Sequence, residues 1–268
     1  MTAFDESERR AWAGQAAAYS ASFAKLCAYS VPRLLDAAEV REGTRVLDVG
    51  TGTGAVAAAA CERGAKVTAV DTEPGMVALA AQTAPAADVR LAGLPSLPFV
   101  DGEFDAVVGN FVLNHVGRPR AALAELRRVT RPGGRIALTI WATPVAAGQA
   151  LLGRAVQAAG VTRPAHLPAL APEDDFPRTE QGFAALLGDA GLGDVCCNTL
   201  HWEHRTTPEE WWSGPAAGVA TIGQIVTSQA PAIIEEIKRH FDALCAEFTG
   251  PEGALVLPHV AVMACGRA

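Results

Sequence analysis

The chain of 268 residues is 50% hydrophobic and 19% charged, and its formal net charge is −7. Its apolar stretches are interrupted before they reach the roughly 18 residues of a membrane span, and no cluster of Lys and Arg offers the basic face of a nucleic-acid binder. These features argue against membrane and nucleic-acid partners and favour a small-molecule substrate.

The spacing of apolar residues divides the chain into a helical start and an alternating remainder. Residues 5–38 are Ala-rich and carry large apolar side chains at helical intervals, with a break at Pro32, so residues 1–40 are expected to form a helical lid. From residue 44 onward, strands alternate with helices, which is typical of a mostly parallel sheet covered on both faces. The predicted strands are 45–49, 66–70, 88–92, 104–109, 135–141, 194–202 and 255–265, and the main predicted helices are 55–63, 74–83, 119–130, 181–190 and 231–248.

This pattern predicts a single α/β domain over residues 1–268 with seven strands. Residues 41–142 are its core. Two less regular segments, 143–180 with its Pro-rich loop and 206–250 with two tryptophans, are expected to cap the carboxyl edge of the sheet, where ligands of such folds bind.

The strongest motif is a glycine turn between the first strand and its helix. Val46-Leu47-Asp48-Val49 is followed by Gly50-Thr51-Gly52-Thr53-Gly54. Residues without Cβ let backbone amides approach a ligand, and the helix N-terminus adds a positive dipole end. Asp71 ends the second strand, where a carboxylate can accept hydrogen bonds from ribose hydroxyls; a helix N-cap is the alternative for Asp71. A nucleotide-like ligand is therefore predicted.

These residues resemble the class I S-adenosylmethionine-dependent methyltransferases, particularly the ubiquinone and menaquinone methyltransferases. The resemblance covers about residues 40–142. It depends on five matches in order: 46–54, Asp71, Leu97-Pro98-Phe99 with Phe104-Asp105, 110–115, and Arg131-Pro132-Gly133-Gly134. It implies a Rossmann-like, doubly wound fold and S-adenosyl-L-methionine as the cofactor.

The resemblance also implies the cofactor contacts. Asp48 would face the methionyl ammonium, directly or through water, although a structural strand-end carboxylate is an alternative reading. Where relatives have an acidic residue beside adenine, this chain has Gly93 and Leu94, so backbone and apolar contacts are expected there. The full predicted set is Asp48, Gly50, Thr51, Gly52, Gly54, Asp71, Thr72, Met76, Gly93, Leu94 and Asn110.

Methyl transfer needs a nucleophile held on the axis of the methyl group in a dry pocket, and some acceptors also need a base. His115 follows the fourth strand and is the candidate base, with a pocket-shaping or helix-capping role as the alternative. Tyr19 is expected to close over the methyl donor, or else to pack within the lid. The candidate substrate contacts are Tyr29, Trp141, His166 and Trp211, which favour a flat, largely apolar acceptor.

Several other readings are open at this point. A NAD-dependent oxidoreductase shares the fold and the acidic strand end but uses a longer glycine spacing. A protein on the same fold could bind the cofactor without methylating, as a cyclase would. The segment His201-Trp-Glu203-His204 is interpreted as an exposed strand end without metal, since His201 and Glu203 share a face that His204 does not. A charged start without an apolar segment predicts a cytoplasmic protein. We expect the chain to be a monomer or a homodimer.

Overall fold

The computed structural model describes residues 2–250 and 252–268 of the chain. Seven strands form one sheet in the order β3-β2-β1-β4-β5-β7-β6. Strands β1 to β5 pair in parallel, whereas β7 is antiparallel to both β5 and β6. The predicted Rossmann-like, mostly parallel sheet is confirmed. Its strands are β1 Arg45–Val49, β2 Lys66–Asp71, β3 Asp88–Leu91, β4 Phe104–Asn110, β5 Thr130–Trp141, β6 Gly193–Thr206 and β7 Leu255–Arg267.

Helices cover both faces of the sheet and its carboxyl edge. In the described residues they are α1 Ala3–Trp12, α2 Ala16–Ala21, α3 Ala24–Ala28, α4 Val31–Ala37, α5 Ala55–Glu62, α6 Pro74–Thr83, α7 Pro119–Val129, α8 Ala147–Ala158, α9 Glu180–Asp189, α10 Pro208–Ala216, α11 Ala220–Thr227 and α12 Pro231–Cys245, with a 3₁₀ turn at Val112–His115. None of these helices is long and apolar enough to cross a bilayer.

The sheet separates two apolar clusters. Leu123 and Leu126 of α7 and Phe183 of α9 pack on one face, and Leu34 of α4 with Ala57 of α5 packs on the other. A third cluster joins α8, α10 and α12 to the start of β7. Because β1 and β4 are covered on both faces, their residues are almost all buried, which explains why these strands appear in the sequence as continuous apolar runs.

The N-terminal region differs from its prediction. The region predicted as helical with a break at Pro32 consists of four short helices, and Pro32 lies in the first turn of α4 instead of breaking a helix. The backbone N–H of a first-turn residue has no acceptor within the helix, so proline, which lacks that N–H, is tolerated there. The chain turns earlier, at Gly14, whose φ is +73°.

Two strand boundaries also differ. Strand β5 begins at Thr130 and includes the Pro132-Gly133-Gly134 turn as an irregularity, where Gly133 N–H donates to Ala268 O at 2.8 Å. Strand β6 continues to Thr206. His204 is therefore inside a paired strand and only 2% exposed, so the interpretation of this segment as an exposed strand end is wrong for His204. No group of side chains suited to a metal ion occurs among the described residues, here or elsewhere.

Replacing Gly54 tests the tight contact between α5 and α6. Gly54 has φ +88°, and an added Cβ would lie 2.8 Å from Ala80 Cα. We expect Gly54→Ala to lower the free energy of unfolding by roughly 2–5 kcal/mol, the sum of left-handed backbone strain and steric overlap. Gly133→Ala is the matched control, because φ is +73° and nothing lies within 4 Å; it should cost about 1 kcal/mol. Equal losses in urea denaturation would contradict the steric explanation.

Candidate active site

A cavity of about 480 Å³ opens at the carboxyl ends of β1, β2 and β4. One half is lined by the glycine loop and the end of β2. The other half is lined by aromatic and apolar side chains from the turn after β4, from β5, and from α8, α10 and α11. The N-terminal helices α1 to α3 contribute Trp12, Tyr19 and Phe23 to the wall. The predicted lid and both predicted cap segments thus supply lining residues.

The glycine loop has the backbone shape that requires glycine. Gly50, Gly52 and Gly54 have φ values of +69°, +55° and +88°. At Gly50 an added Cβ would lie 2.6 Å from Val112 Cγ2, whereas at Gly52 it would meet only Tyr19 Cε1, at 3.6 Å. Gly50 and Gly52 line the cavity. Gly54 is not among the lining residues, because it packs against α6.

Asp71 is oriented by the backbone around it. Its Oδ2 accepts from Gly52 N–H at 2.9 Å, and its Oδ1 accepts from Glu73 N–H at 3.0 Å. Burial raises the pKa of this carboxyl, while these amide hydrogen bonds act in the opposite direction. Asp71 lines the cavity, so its oxygens have lone pairs available to a ligand.

The residues expected around adenine line the same half of the cavity: Thr72, Met76, Gly93 and Leu94. A Cβ at Gly93 would lie 2.2 Å from Thr72 Cγ2. A larger side chain at this position would therefore require the Thr72 side chain to move.

Asp48 lies beneath the loop and is fully buried. Its Oδ2 accepts from Thr51 Oγ1 at 2.6 Å, and its Oδ1 has no partner among the described residues. Burial raises the pKa of Asp48 to about 7, although the Thr51 hydroxyl lowers it. Neither Asp48 nor Thr51 lines the cavity; the structure places them as supports of the loop.

Asn110 ends β4 and connects the sheet to the N-terminal helices. Its Oδ1 accepts from Ser30 Oγ at 2.7 Å and from Thr139 Oγ1 at 2.6 Å, and its Nδ2 donates to Cys27 O at 2.8 Å. The next residue, Phe111, has a left-handed backbone with φ +62°. Its ring stacks on Trp141 with centroids 4.1 Å apart. This turn places the following 3₁₀ segment, and His115 with it, at the cavity.

His115 has a carboxylate partner that the sequence did not indicate. Its Nδ1 lies 2.7 Å from Glu8 Oε2, and Trp12 Nε1 lies 3.3 Å from the same oxygen. Trp12 Nε1 is also 3.4 Å from His115 Nδ1. The consistent pattern is that Glu8 accepts from both rings, because a protonated Nδ1 cannot also accept from Trp12.

Tyr19 lies between the lid and the glycine loop. Its ring packs edge-on against Trp12, with centroids 5.4 Å apart, and contacts the Gly52 position. Burial, with the Cys27 thiol nearby, raises the pKa of Tyr19 well above the usual range. The phenol is therefore neutral at physiological pH.

Two predicted substrate contacts are not at the cavity. Tyr29 is 46% exposed and packs against Trp202 and His204, and His166 is exposed in the Pro-rich loop. Neither is among the lining residues, so the structure gives no support to their predicted role. Trp141 and Trp211 do line the cavity. Three further charged or polar residues that we did not predict also line the cavity, Glu73, Gln149 and His259.

A family model described as "Methyltransferase domain" matches residues 47–138. A demethylmenaquinone methyltransferase of Beutenbergia cavernae is 38% identical over 171 residues, which are 60% of this chain and 70% of the relative. The chain belongs to the class I S-adenosylmethionine-dependent methyltransferases. The longer glycine spacing of nicotinamide enzymes is absent, in agreement with this family.

Other methyltransferases match over different lengths. A demethylmenaquinone methyltransferase of Paenarthrobacter aurescens is 38% identical over 112 residues, so the match spans 42% of this chain and less than half, 44%, of the relative. The solved structure of a geranyl diphosphate methyltransferase with GPP and sinefungin has a TM-score of 0.52 and 17% identity, covering 90% of this chain and 78% of that one. At this low sequence identity, the similarity to the geranyl diphosphate methyltransferase shows a shared fold only.

The methyl donor of this family is S-adenosylmethionine, and the residues of the methyltransferase cavity suit it. Gly52, which has no side chain, would let the donor approach the loop backbone, and Asp71 would offer an oriented carboxylate to ribose hydroxyls. Thr72, Met76 and Leu94 would offer a surface for adenine, and Asn110 would offer its backbone, because its amide side chain is already hydrogen-bonded. Asp48, whose Oδ1 is unpaired, would act on the methionyl end only through the loop or water.

Replacing Asp71 tests the cofactor half of the cavity. We expect Asp71→Ala to weaken S-adenosylhomocysteine binding by roughly 1–3 kcal/mol, because a charge-assisted partner of the ribose and the anchor of Gly52 N–H are both lost. Calorimetric titration measures this change. Asp88→Ala, an exposed Asp at the start of the neighbouring strand, should bind like the wild type. Unchanged affinity in a folded Asp71→Ala protein would overturn the assignment.

The buried Asp48 predicts a pH dependence of stability. Its pKa is about 7 in the folded chain and 3.8 in the unfolded one, so between these values the folded state binds more protons. Raising the pH from 5 to 8 should therefore destabilise the ligand-free protein, by up to roughly 3 kcal/mol from this group. Asp48→Asn should remove that contribution. Urea denaturation of both proteins across this range provides the comparison, and parallel pH profiles would contradict the prediction.

Proposed function

We propose that this methyltransferase transfers a methyl group to a small, flat, largely apolar secondary metabolite. The attacking atom is an oxygen or an acidic carbon, which loses its proton during the reaction. The observation that carries the proposal is the contact of His115 Nδ1 with Glu8 Oε2 on the wall of an apolar cavity that continues into the glycine loop.

His115 would act as the base. The Glu8 carboxylate favours the proton on Nδ1, which leaves the Nε2 lone pair to accept a proton from the acceptor. Glu8 is well shielded, with a side chain 13% exposed, and Trp12 Nε1 fixes the same oxygen. The bound S-adenosylmethionine supplies an electrophilic methyl group on a sulfonium, and the chain's own residues orient the nucleophile and exclude water.

The lining of the cavity supports a neutral acceptor. Its lining residues in the described part of the chain include neither Arg nor Lys, so a phosphate or carboxylate group would lack a cationic partner there. The stacked rings of Phe111 and Trp141 form a flat wall that suits a planar ring system. The relatives named demethylmenaquinone methyltransferase act, by that name, on a quinone, which agrees with a flat acceptor.

The direct test uses the purified chain with labelled S-adenosylmethionine and two acceptors that each carry two hydroxyl groups, naphthalene-2,6-diol and reduced 1,4-naphthoquinone. Labelled product together with S-adenosylhomocysteine would support the proposal. Turnover of an acceptor without release of S-adenosylhomocysteine would instead identify a cyclase or another non-methylating protein on this fold. Cofactor binding without turnover of either aromatic acceptor would contradict the substrate class.

The proposed base predicts separate effects on rate and on cofactor binding. His115→Ala should lower kcat with naphthalene-2,6-diol by about 100-fold, and Glu8→Gln by about ten-fold, because the imidazole loses the partner that sets its tautomer. S-adenosylhomocysteine affinity should stay unchanged in both. His240→Ala is the matched control, since His240 also contacts a glutamate, Glu236, but lies on the outer surface of α12. Full activity of His115→Ala would show that His115 is not the base.

A further inference from the structure

His259 is a buried histidine at the end of the cavity remote from the glycine loop. It is 2% exposed and lies on β7, yet it is among the lining residues. Its ring neighbours are Trp141, Trp202, His204 and Trp211, at centroid distances of 6.2, 5.9, 6.1 and 5.6 Å. None of these four residues belongs to the glycine loop. His115, in contrast, lies beside Trp12. Trp12 contacts Tyr19, which lies over Gly52. The two cavity histidines therefore lie at different ends.

The hydrogen-bond pattern defines the tautomer of His259. Its Nδ1 lies 2.8 Å from Leu257 O, an acceptor, so Nδ1 carries the proton. Burial lowers the pKa of the ring to about 4, and the ring is neutral at physiological pH. Nε2 then carries a lone pair. Nε2 has no hydrogen-bond partner among the described residues, but it is not fully enclosed by protein atoms. Because His259 lines the cavity, Nε2 is accessible from the cavity.

Gln149 of α8 supplies a complementary group next to His259. Its Oε1 accepts from the backbone N–H of Val260 at 3.5 Å, the residue that follows His259. Its Nε2 has no partner among residues 2–250 and 252–268, and Gln149 lines the cavity. The cavity wall therefore carries one acceptor, on His259, and one amide donor, on Gln149, among largely apolar side chains. When a bound ligand excludes water from such groups they need a partner on that ligand, because an unpaired one costs free energy.

We propose that His259 Nε2 and Gln149 Nε2 bind a neutral hydroxyl group at the distal end of the methyl acceptor, which is therefore a phenol or enol on a flat ring system. The hydroxyl donates to His259 and accepts from Gln149. An ionised carboxylate or a phosphate dianion has no proton to donate to His259, and an ammonium cannot accept from Gln149. The inference rests on the proposed function only in calling the ligand a methyl acceptor, since the binding site is defined without the transfer step.

Binding of two isosteric probes tests this inference without methyl transfer. In calorimetric titrations the wild type should bind 2-naphthol about ten-fold more tightly than 2-fluoronaphthalene, which has the same outline but no O–H. His259→Phe and Gln149→Leu should each bring the two affinities within about two-fold. His201→Phe, an exposed histidine on the neighbouring strand, should keep the full preference.

Three results would overturn the inference: no preference in the wild type, no binding of either probe, or an undiminished preference in His259→Phe. Should that variant fail to fold, nitrogen NMR of the wild type decides instead. 2-Naphthol should then shift the Nε2 resonance of His259 and leave that of His201 in place, and an unshifted His259 would contradict the proposal. A hydroxyl preference without any methyl transfer would uphold this site and refute the proposed function.

Discussion

The side chain of Asn110 joins the three parts of the chain that build the cavity. It accepts from Ser30 and Thr139 and donates to Cys27, so the N-terminal helices, β4 and β5 share one amide. Because the amide is half-buried and its oxygen already accepts two bonds, moving the lid would break several hydrogen bonds together. The positions of Trp12, Tyr19 and Glu8 over the loop follow from this connection.

The polar groups of the cavity are distributed unevenly, and the distribution matches the two ligands of a methyltransferase. The carboxylate of Asp71 and the amides of the glycine loop stand at one end, where the donor carries hydroxyls and charges. At the other end stacked rings exclude water, and a few neutral hydrogen-bonding groups stand among them. A nucleophile in such surroundings is poorly solvated, which favours its attack on a cationic methyl donor.

Local sequence predicted the sheet and most of the residues that line the cavity beside the glycine loop, because glycine turns, strand ends and their spacing are encoded over short distances. The partners of catalysis were harder to find. Glu8 and His115 are 107 positions apart in the sequence. A glutamate in a charged helix is normally exposed, so nothing in the sequence indicated that Glu8 contacts a cavity histidine. His259 interrupts an apolar strand, a signal that was available and that we did not use. Tyr29 and His166 were assigned from residue type alone, and packing and exposure placed them elsewhere.

The position of β7 has a consequence for how the chain matures. Strand β7 is made after β6 but lies between β5 and β6, and β6 pairs with β7 as its neighbour in the sheet. While the ribosome is still synthesising residues up to 255, β5 has an unpaired edge and β6 has no strand to join. The half of the sheet with His259 therefore assembles late, and a chaperone that shields these edges during translation would raise the yield of active enzyme.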